Sequence, residues 1–367
     1  MGLKLHQPDY KMMITVGVIV IFGLVMLASA SSVSSFETFG DSNYLLKHQL
    51  LYGLLVGLIG LIVVSKIDYH VWGKLSFALL AFNILLLLAV LIPGIGYEVN
   101  GARRWIDLGF VFLQPTELLK LTFILYLSTL FSKNISGIKD ATYGLMPFLF
   151  MLGAIVFLIM LQPDMGTMMT IAITAIVIYF VAGAAIKHLS WIFLGASGIF
   201  FLLIQLAPYR VQRLTVFLNP ALDPLGIGYH INQALLAIGS GGFFGLGLGH
   251  SRQKFLYLPE VTGDSIFAIL SEELGFLFAV ILIGLFLYLM KRGLKISKKA
   301  PDLLGKLIAV GIVSWIVIQA FINIAAMVTL VPLTGIPLPF ISYGSSALAT
   351  TLIAIGILIN ISKQTKS

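Results

Sequence analysis

Residues 255–290 read FLYLPEVTGDSIFAILSEELGFLFAVILIGLFLYLM. The second half, Leu274 to Met290, is uncharged over 17 residues. As a helix it is about 25 Å long, close to the ~30 Å thickness of a bilayer's hydrocarbon core. The first half holds Glu260, Asp264, Glu272 and Glu273 in a chain that is only 10% charged. Acids are costly beside lipid, so a cluster at the mouth of a span marks chemistry or an ion path rather than stability. Glu272 and Glu273 fall at the boundary of the apolar layer, with Asp264 up to ~12 Å above them.

The rest of the chain repeats the apolar half of this stretch. With 367 residues, 59% hydrophobic and a mean hydropathy of +1.03, it reads as an all-α integral membrane protein, one polytopic domain over 1–367. About ten transmembrane helices are expected, near 12–34, 48–64, 75–93, 116–132, 144–161, 166–183, 189–207, 266–290, 304–330 and 346–362. Continuous apolar runs, without alternation, argue against a β-barrel. The first run is too long for a signal-peptide core and reads as an uncleaved helix. The absence of cysteine excludes disulfides and thiolate metal sites.

Charge gives the orientation. With the N- and C-termini in the cytoplasm, the inner loops and tails hold 15 cations against four acids (Asp9, Asp68, Asp140, Asp302), and the outer side eight cations against eleven acids. The net charge of +8 therefore reports topology, with no nucleic acid as partner. Fourteen of the inner cations are Lys, whereas five of the eight outer ones are Arg: Arg103, Arg104, Arg210, Arg213 and Arg252. Arg grips phosphate bidentately, so this bias suggests a phosphate-bearing ligand outside; headgroup anchoring is the alternative.

Most links between spans are short, but a long extracellular loop, residues 208–265, joins helices 7 and 8. In it, Gly241, Gly245 and Gly249 recur every four residues, a stripe that lets helices approach closely. This predicts a re-entrant or surface-lying helix. Arg252 and Lys254 then lead into the acid cluster. Asp264 reads equally as a general base or cation-holding carboxylate and as a helix N-cap. Elsewhere, NGARRWIDLG reads as an amphipathic interfacial stretch, and Glu117 with Lys120 as either an ion pair or site residues. Asp164 falls in the tight turn LQPDMGT. VPLTGIPLPFISYGSSA, with Ser342, is broken backbone of the kind that lines a cavity at membrane depth.

GARRWIDLG…LQPTELLKL, MLQPDMGT, the run from VQRLTVFLNPALDPLG through AIGSGGFFGLGLGHSRQKFLYLPE, GDSIFAILSEELGF and TGIPLPFISYGSS occur in this order. Together they resemble the SEDS (shape, elongation, division and sporulation) proteins, the FtsW/RodA/SpoVE group, and the long SRQKFLYLPE stretch is more like the division branch. The resemblance covers essentially the whole chain. It implies a peptidoglycan glycosyltransferase that polymerises lipid II, linked to undecaprenyl pyrophosphate, on the outer face of the bacterial cytoplasmic membrane. It also implies a class B penicillin-binding protein as partner, other divisome or elongasome membrane proteins around it, and a divalent cation, Mg or Mn. The family's key aspartate falls on Asp264. Substrate contacts are expected from Arg103, Arg104, Glu117, Lys120, Asp164, Arg210, Arg213, Arg252, Lys254, Glu272, Glu273 and Ser342. Two motifs depart from the family pattern: Thr262-Gly263-Asp264 replaces His-Thr-Asp, and Tyr343-Gly344-Ser345-Ser346 is one glycine short of YGGSS. A lipid II flippase, using the polar residues Asn83, Lys120, Gln319 and Asn323 within spans, and a scaffold for the division machinery are the rival readings.

Overall fold

The computed structural model describes residues 6–99, 101–109, 111–205, 208–219, 222–223 and 226–365. In chain order the helices are α1 (Tyr10–Ala30), α2 (Ser32–Phe39), α3 (Tyr44–His48), α4 (Val56–Lys66), α5 (Tyr69–Val90), α6 (Pro115–Lys133), α7 (Met146–Met160), α8 (Met165–Val181), α9 (Ile186–Gln205), α10 (Pro208–Leu218), α11 (Ile227–Ser240), α12 (Ile266–Lys299), α13 (Leu303–Met327) and α14 (Ser345–Lys363). A π-helical turn, Gln49–Leu55, fuses α3 and α4 into one span. The strands β1 (Gly96–Val99), β2 (Ala102–Asp107) and β3 (Phe112–Leu113) form a small antiparallel sheet between α5 and α6.

The chain is a multi-pass membrane protein. Among the described residues all ten expected spans fall on helices, seven of them long and apolar enough by themselves to cross a bilayer. The other three are α8, of 17 residues, α6, whose Glu117 and Lys120 lower its hydropathy, and α9. The apolar stretches of α13 and α14 are 78% and 83% buried, against 22% for the α3–α4 span, so these two helices form the centre and the early ones the lipid-facing wall.

Aspartates set the helix starts. Asp9, Asp68, Asp140 and Asp302, the four acids of the basic side, each accept a backbone N–H at the start of a helix, as N-caps do. Asp302 also takes the Tyr69 hydroxyl and His70 Nε2, tying the α12–α13 corner to the start of α5.

Residues 96–107, which take in much of the expected amphipathic stretch NGARRWIDLG, form a β-hairpin. Gly101 lies in its turn at φ 74°, and the dipeptide Asn-Gly in a sequence is the strongest short-range hairpin signal. Strand alternation sends Arg103 and Arg104 to opposite faces.

The decisive irregularity is in α12, which breaks at Gly275 (φ 78°, ψ −177°). The freed backbone groups pair with the glycine-rich loop after α11. Leu246 N–H and Gly247 N–H donate to the Glu272 and Glu273 carbonyls at 3.0 and 2.9 Å, and Phe276 and Leu277 N–H donate to Gly242 and Phe243 at 2.9 and 3.2 Å. The helix expected over the glycine-dense stretch does not form: α11 ends at Ser240, and Gly241, Gly245 and Gly249 lie in the loop beyond it, with Gly245 and Gly249 at positive φ, so a loop rather than a helix face packs on α12. A Cβ on Gly245 would meet the Glu273 carbonyl at 2.2 Å, and one on Gly275 the Gly245 nitrogen at 2.3 Å. Gly275→Ala combines that backbone clash with a left-handed φ, so a loss above about 3 kcal/mol is expected. Gly284→Ala, with nothing within 4 Å, should be neutral or stabilising. Melting of the two purified variants in detergent checks the contrast.

Candidate functional site

Asp264 lies in the turn 260–265, which wraps around the Glu260 carbonyl: Gly263 and Ser265 N–H both donate to it, at 3.0 and 3.2 Å. Glu260 itself is at φ 52°, an uncommon conformation for a side-chain-bearing residue. Three consecutive carbonyls of this turn are taken by donors from elsewhere. Tyr343 N–H donates to Thr262 at 2.8 Å, Ser342 Oγ to Gly263 at 2.6 Å, and Asn323 Nδ2 to Asp264 at 2.8 Å. Asp264 is 9% exposed, at the edge of burial. Helix α12 starts beyond it, with Ser265 at the N-cap position and no side-chain cap bond, so the capping role is not what places Asp264 there. The Ser265 hydroxyl lies 3.4 Å from Asp264 Oδ1 and 2.7 Å from His230 Nε2, which links the turn to α11.

Ser342 and Tyr343 belong to the broken segment between α13 and α14 and Asn323 to the end of α13; in that segment polar side chains replace the missing helical bonds. Asn323 Nδ2 also donates to Ile336 O at 2.8 Å, and Gln319 Nε2 to Pro337 O at 2.9 Å. Leu338 N–H donates to Ser342 Oγ at 2.7 Å. Gln49, on the π-helical turn, accepts from Gly344 N–H and donates to Ser342 O. Gly23 of α1 lies directly on this segment: a Cβ there would meet Phe340 O at 2.4 Å.

Below the turn, Glu272 and Glu273 are fully buried and bind the preceding loop. Glu272 accepts from Ser251 Oγ and from the Arg252 and Gln253 amides at 2.5, 3.0 and 3.3 Å. Glu273 accepts from Ser29 Oγ at 2.7 Å and Lys254 Nζ at 2.9 Å, and Lys254 also reaches Gly249 O. The Glu117–Lys120 pair of α6 is equally buried, at 2.7 Å, with Lys120 shared by Gln319 Oε1 and lying over Trp315. Arg104 donates to the Gln162 and Pro163 carbonyls, whereas Arg103 pairs across the hairpin with Glu98. Asp164 caps α8 through Thr167 N–H. Arg252 is exposed beside Lys254. The side chains of Arg210 and Arg213, on α10, lie outside the described residues. On the α2–α3 loop, the Lys47 ammonium and the Asn43 amide hold the Asp41 carboxyl below the usual carboxylate range.

The sequence therefore names the turn and its acids, but these fall into separate groups. The Asp264 turn, the clasp of Glu272, Glu273 and Lys254, the Glu117–Lys120 pair and the Arg104-bound α7–α8 turn are distinct. Asn323, Gln49 and His230 were not among the expected site residues. Their signal is a polar side chain placed in a helix whose other buried neighbours are apolar.

The motifs and this architecture match one family along almost the entire chain: the cell cycle proteins that group FtsW, RodA and SpoVE, over residues 10–367. The chain belongs to the FtsW/RodA/SpoVE family. It is similar to stage V sporulation protein E of Bacillus subtilis (strain 168), at 44% identity with 100% of both chains covered. It is also similar to the probable peptidoglycan glycosyltransferase FtsW of Trichlorobacter lovleyi, at 40% identity over 99% of this chain and 95% of that one. Among solved structures, the rod shape determining protein RodA of Thermus thermophilus matches with a TM-score of 0.71 and 28% identity over 98% of each chain. A chain of a peptidoglycan synthase complex, described for its coordination of polymerization and crosslinking, matches with a TM-score of 0.78 and 27% identity over 97% of each.

In this FtsW/RodA/SpoVE member the clasp has a clear energetic consequence. Removing Lys254 leaves Glu273 as a buried, uncompensated charge, and breaking such a pair costs about 3–5 kcal/mol. Lys254→Met should lower the melting temperature sharply, and adding Glu273→Gln should restore much of it. Equal melting of the single and double variants would show that the pair is not coupled.

Proposed function

We propose that this chain is a peptidoglycan glycosyltransferase that joins lipid II disaccharide-pentapeptide units into glycan strands, with Asp264 as the residue that does the acid–base work. The observation that carries this reading is the Asp264 turn. Three of its consecutive carbonyls are fastened by other elements, while its carboxyl stands at the edge of burial, beyond the helix cap. Family membership and the names carried by the FtsW relatives support the same reaction class.

In this mechanism the acceptor sugar's hydroxyl attacks the anomeric carbon of the lipid-linked donor. The O–H proton passes to the Asp264 carboxylate, the new glycosidic C–O bond forms, and the bond to the undecaprenyl diphosphate breaks. Arg252 is exposed in the loop clasped under this turn, and together with Arg210 and Arg213 it would stabilise the charge growing on the departing diphosphate. Among the described residues no three His, Cys, Asp or Glu side chains come together as a metal-binding group. A Mg or Mn ion would therefore have Asp264 as its protein ligand and complete its shell from the diphosphate and water, a donor set that suits Mg²⁺. When bound, such an ion neutralises charge on the leaving group.

The partner we propose is a class B penicillin-binding protein that cross-links the product, within a divisome- or elongasome-type assembly. The flippase alternative loses its main support, because Lys120, Gln319 and Asn323 are buried and bonded to neighbouring groups of the protein.

Asp264→Asn removes charge and basicity while keeping shape, and a cap would tolerate it. A general base would not, so lipid II polymerisation, read as glycan length on gels with divalent cation and the partner present, should fall about 10²–10⁴-fold. Near-wild-type polymer would remove Asp264 from the chemistry.

The orientation belongs to the same proposal: both termini in the cytoplasm, the Asp264 turn outside. In this cysteine-free chain, single cysteines at Lys47 and Arg252 should react with an impermeant maleimide in intact spheroplasts, and one at Lys298 should not. The reverse pattern would invert the topology.

A further inference from the structure

Asn323 lies near the end of α13, only 1% exposed, in a helix whose remaining buried residues are mostly apolar. A buried Asn without partners costs free energy. Here its side-chain N–H₂ makes two bonds, one to the carbonyl of Asp264 itself and one to Ile336 O, both at 2.8 Å. Those two carbonyls belong to elements far apart in sequence: the turn that precedes α12, and the broken segment that follows α13. One turn of helix earlier on the same face, Gln319 fastens the next carbonyl of that segment, Pro337 O. It does so with its amide oxygen held by Lys120 and Trp315.

We infer that Asn323 is a positioning residue for Asp264: it fixes the height and aim of the carboxylate by stapling the Asp264 turn to the broken 336–338 segment. This rests on the reading of Asp264 as the base only for its effect on rate; the staple itself is a statement about geometry. The alternatives for Asn323 are weak. At 1% exposure it cannot reach an outer substrate, and its donor is spent on main-chain groups rather than on an open path through the membrane. Tyr343 and Ser342 hold the two preceding carbonyls, so the loss of Asn323 should leave the turn attached yet free to move at its last residue. Displacements of about 1 Å at a reacting group cost on the order of 10²-fold in rate.

The absence of native cysteines allows a readout independent of activity. In an Asp264→Cys protein, alkylation of Cys at 264 by a soluble maleimide reports how tightly that position is held. Adding Asn323→Leu should speed this alkylation at least tenfold, while a cysteine at the exposed Thr142 of the same background should label at an unchanged rate. Asn323→Ser, which keeps a single hydroxyl donor and is less disruptive should the leucine variant fail to fold, should give an intermediate rate. Alkylation at the parental rate in a folded Asn323 variant would overturn the inference. In the Asp264 protein, Asn323→Leu should lower kcat for lipid II polymerisation by ten- to a hundredfold, with KM within about twofold of the parent. A raised KM at unchanged kcat would assign Asn323 to substrate binding and overturn the inference as well. If Asp264→Asn remains active while Asn323→Leu still speeds alkylation, the staple stands and the reading of Asp264 as base falls.

Discussion

A backbone that leaves its helix inside a membrane must find new partners, because hydrocarbon offers none. This constraint organises the end of the molecule that carries the Asp264 turn. At Gly275 the helix α12 opens, and four main-chain bonds to residues 242–247 close the gap. Only glycines permit the approach, since Cβ atoms at 245 or 275 would overlap main-chain atoms. The break orients Glu272 and Glu273 onto the loop that follows the glycines. That loop returns through Pro259 to the Asp264 turn, so the position of the candidate base depends on the break at Gly275, eleven residues after it.

The second break, between α13 and α14, obeys the same rule with a different means. There the replacement partners are side chains: Gln49, Gln319, Asn323 and Ser342 each bond main-chain groups of the segment. Buried polar residues of this kind add little net stability, but each one left unpaired would be expensive. Their arrangement specifies one path for the chain. It also explains why Gln319 and Asn323 sit in the heavily buried α13 without implying a route through the membrane.

Much of this was legible in the sequence. The spans followed from apolar length, whereas the glycine-dense stretch after Ser240, expected as a helix, is a loop that bonds to α12. Asp264 stood out as an acid at the rim of an apolar run. The hairpin at 96–107 has its signal in the Asn-Gly dipeptide at 100–101, which the adjacent Arg103, Arg104 and Trp105, typical of an interfacial stretch, obscure. The division of labour among the acids was not legible at all. Glu272, Glu273 and Asp264 are all carboxylates close in sequence, and the structure sets them apart: amides and Lys254 hold the carboxylates of the first two, and side chains from α13 and beyond hold the main chain around the third.

That separation bears on the chemistry. A buried carboxylate that accepts from amides or an ammonium is committed to those bonds, since losing one leaves a buried polar group unpaired. Glu273, Glu272 and Glu117 are held in this way and fasten one segment to another. A general base must instead be held rigidly against the group it deprotonates. The bonds from Asn323, Ser342 and Tyr343 provide this, because they act on the carbonyls of Asp264 and its two predecessors. The rigidity of the turn thus comes from its main chain, which is fastened by α13 and by the broken segment that follows it.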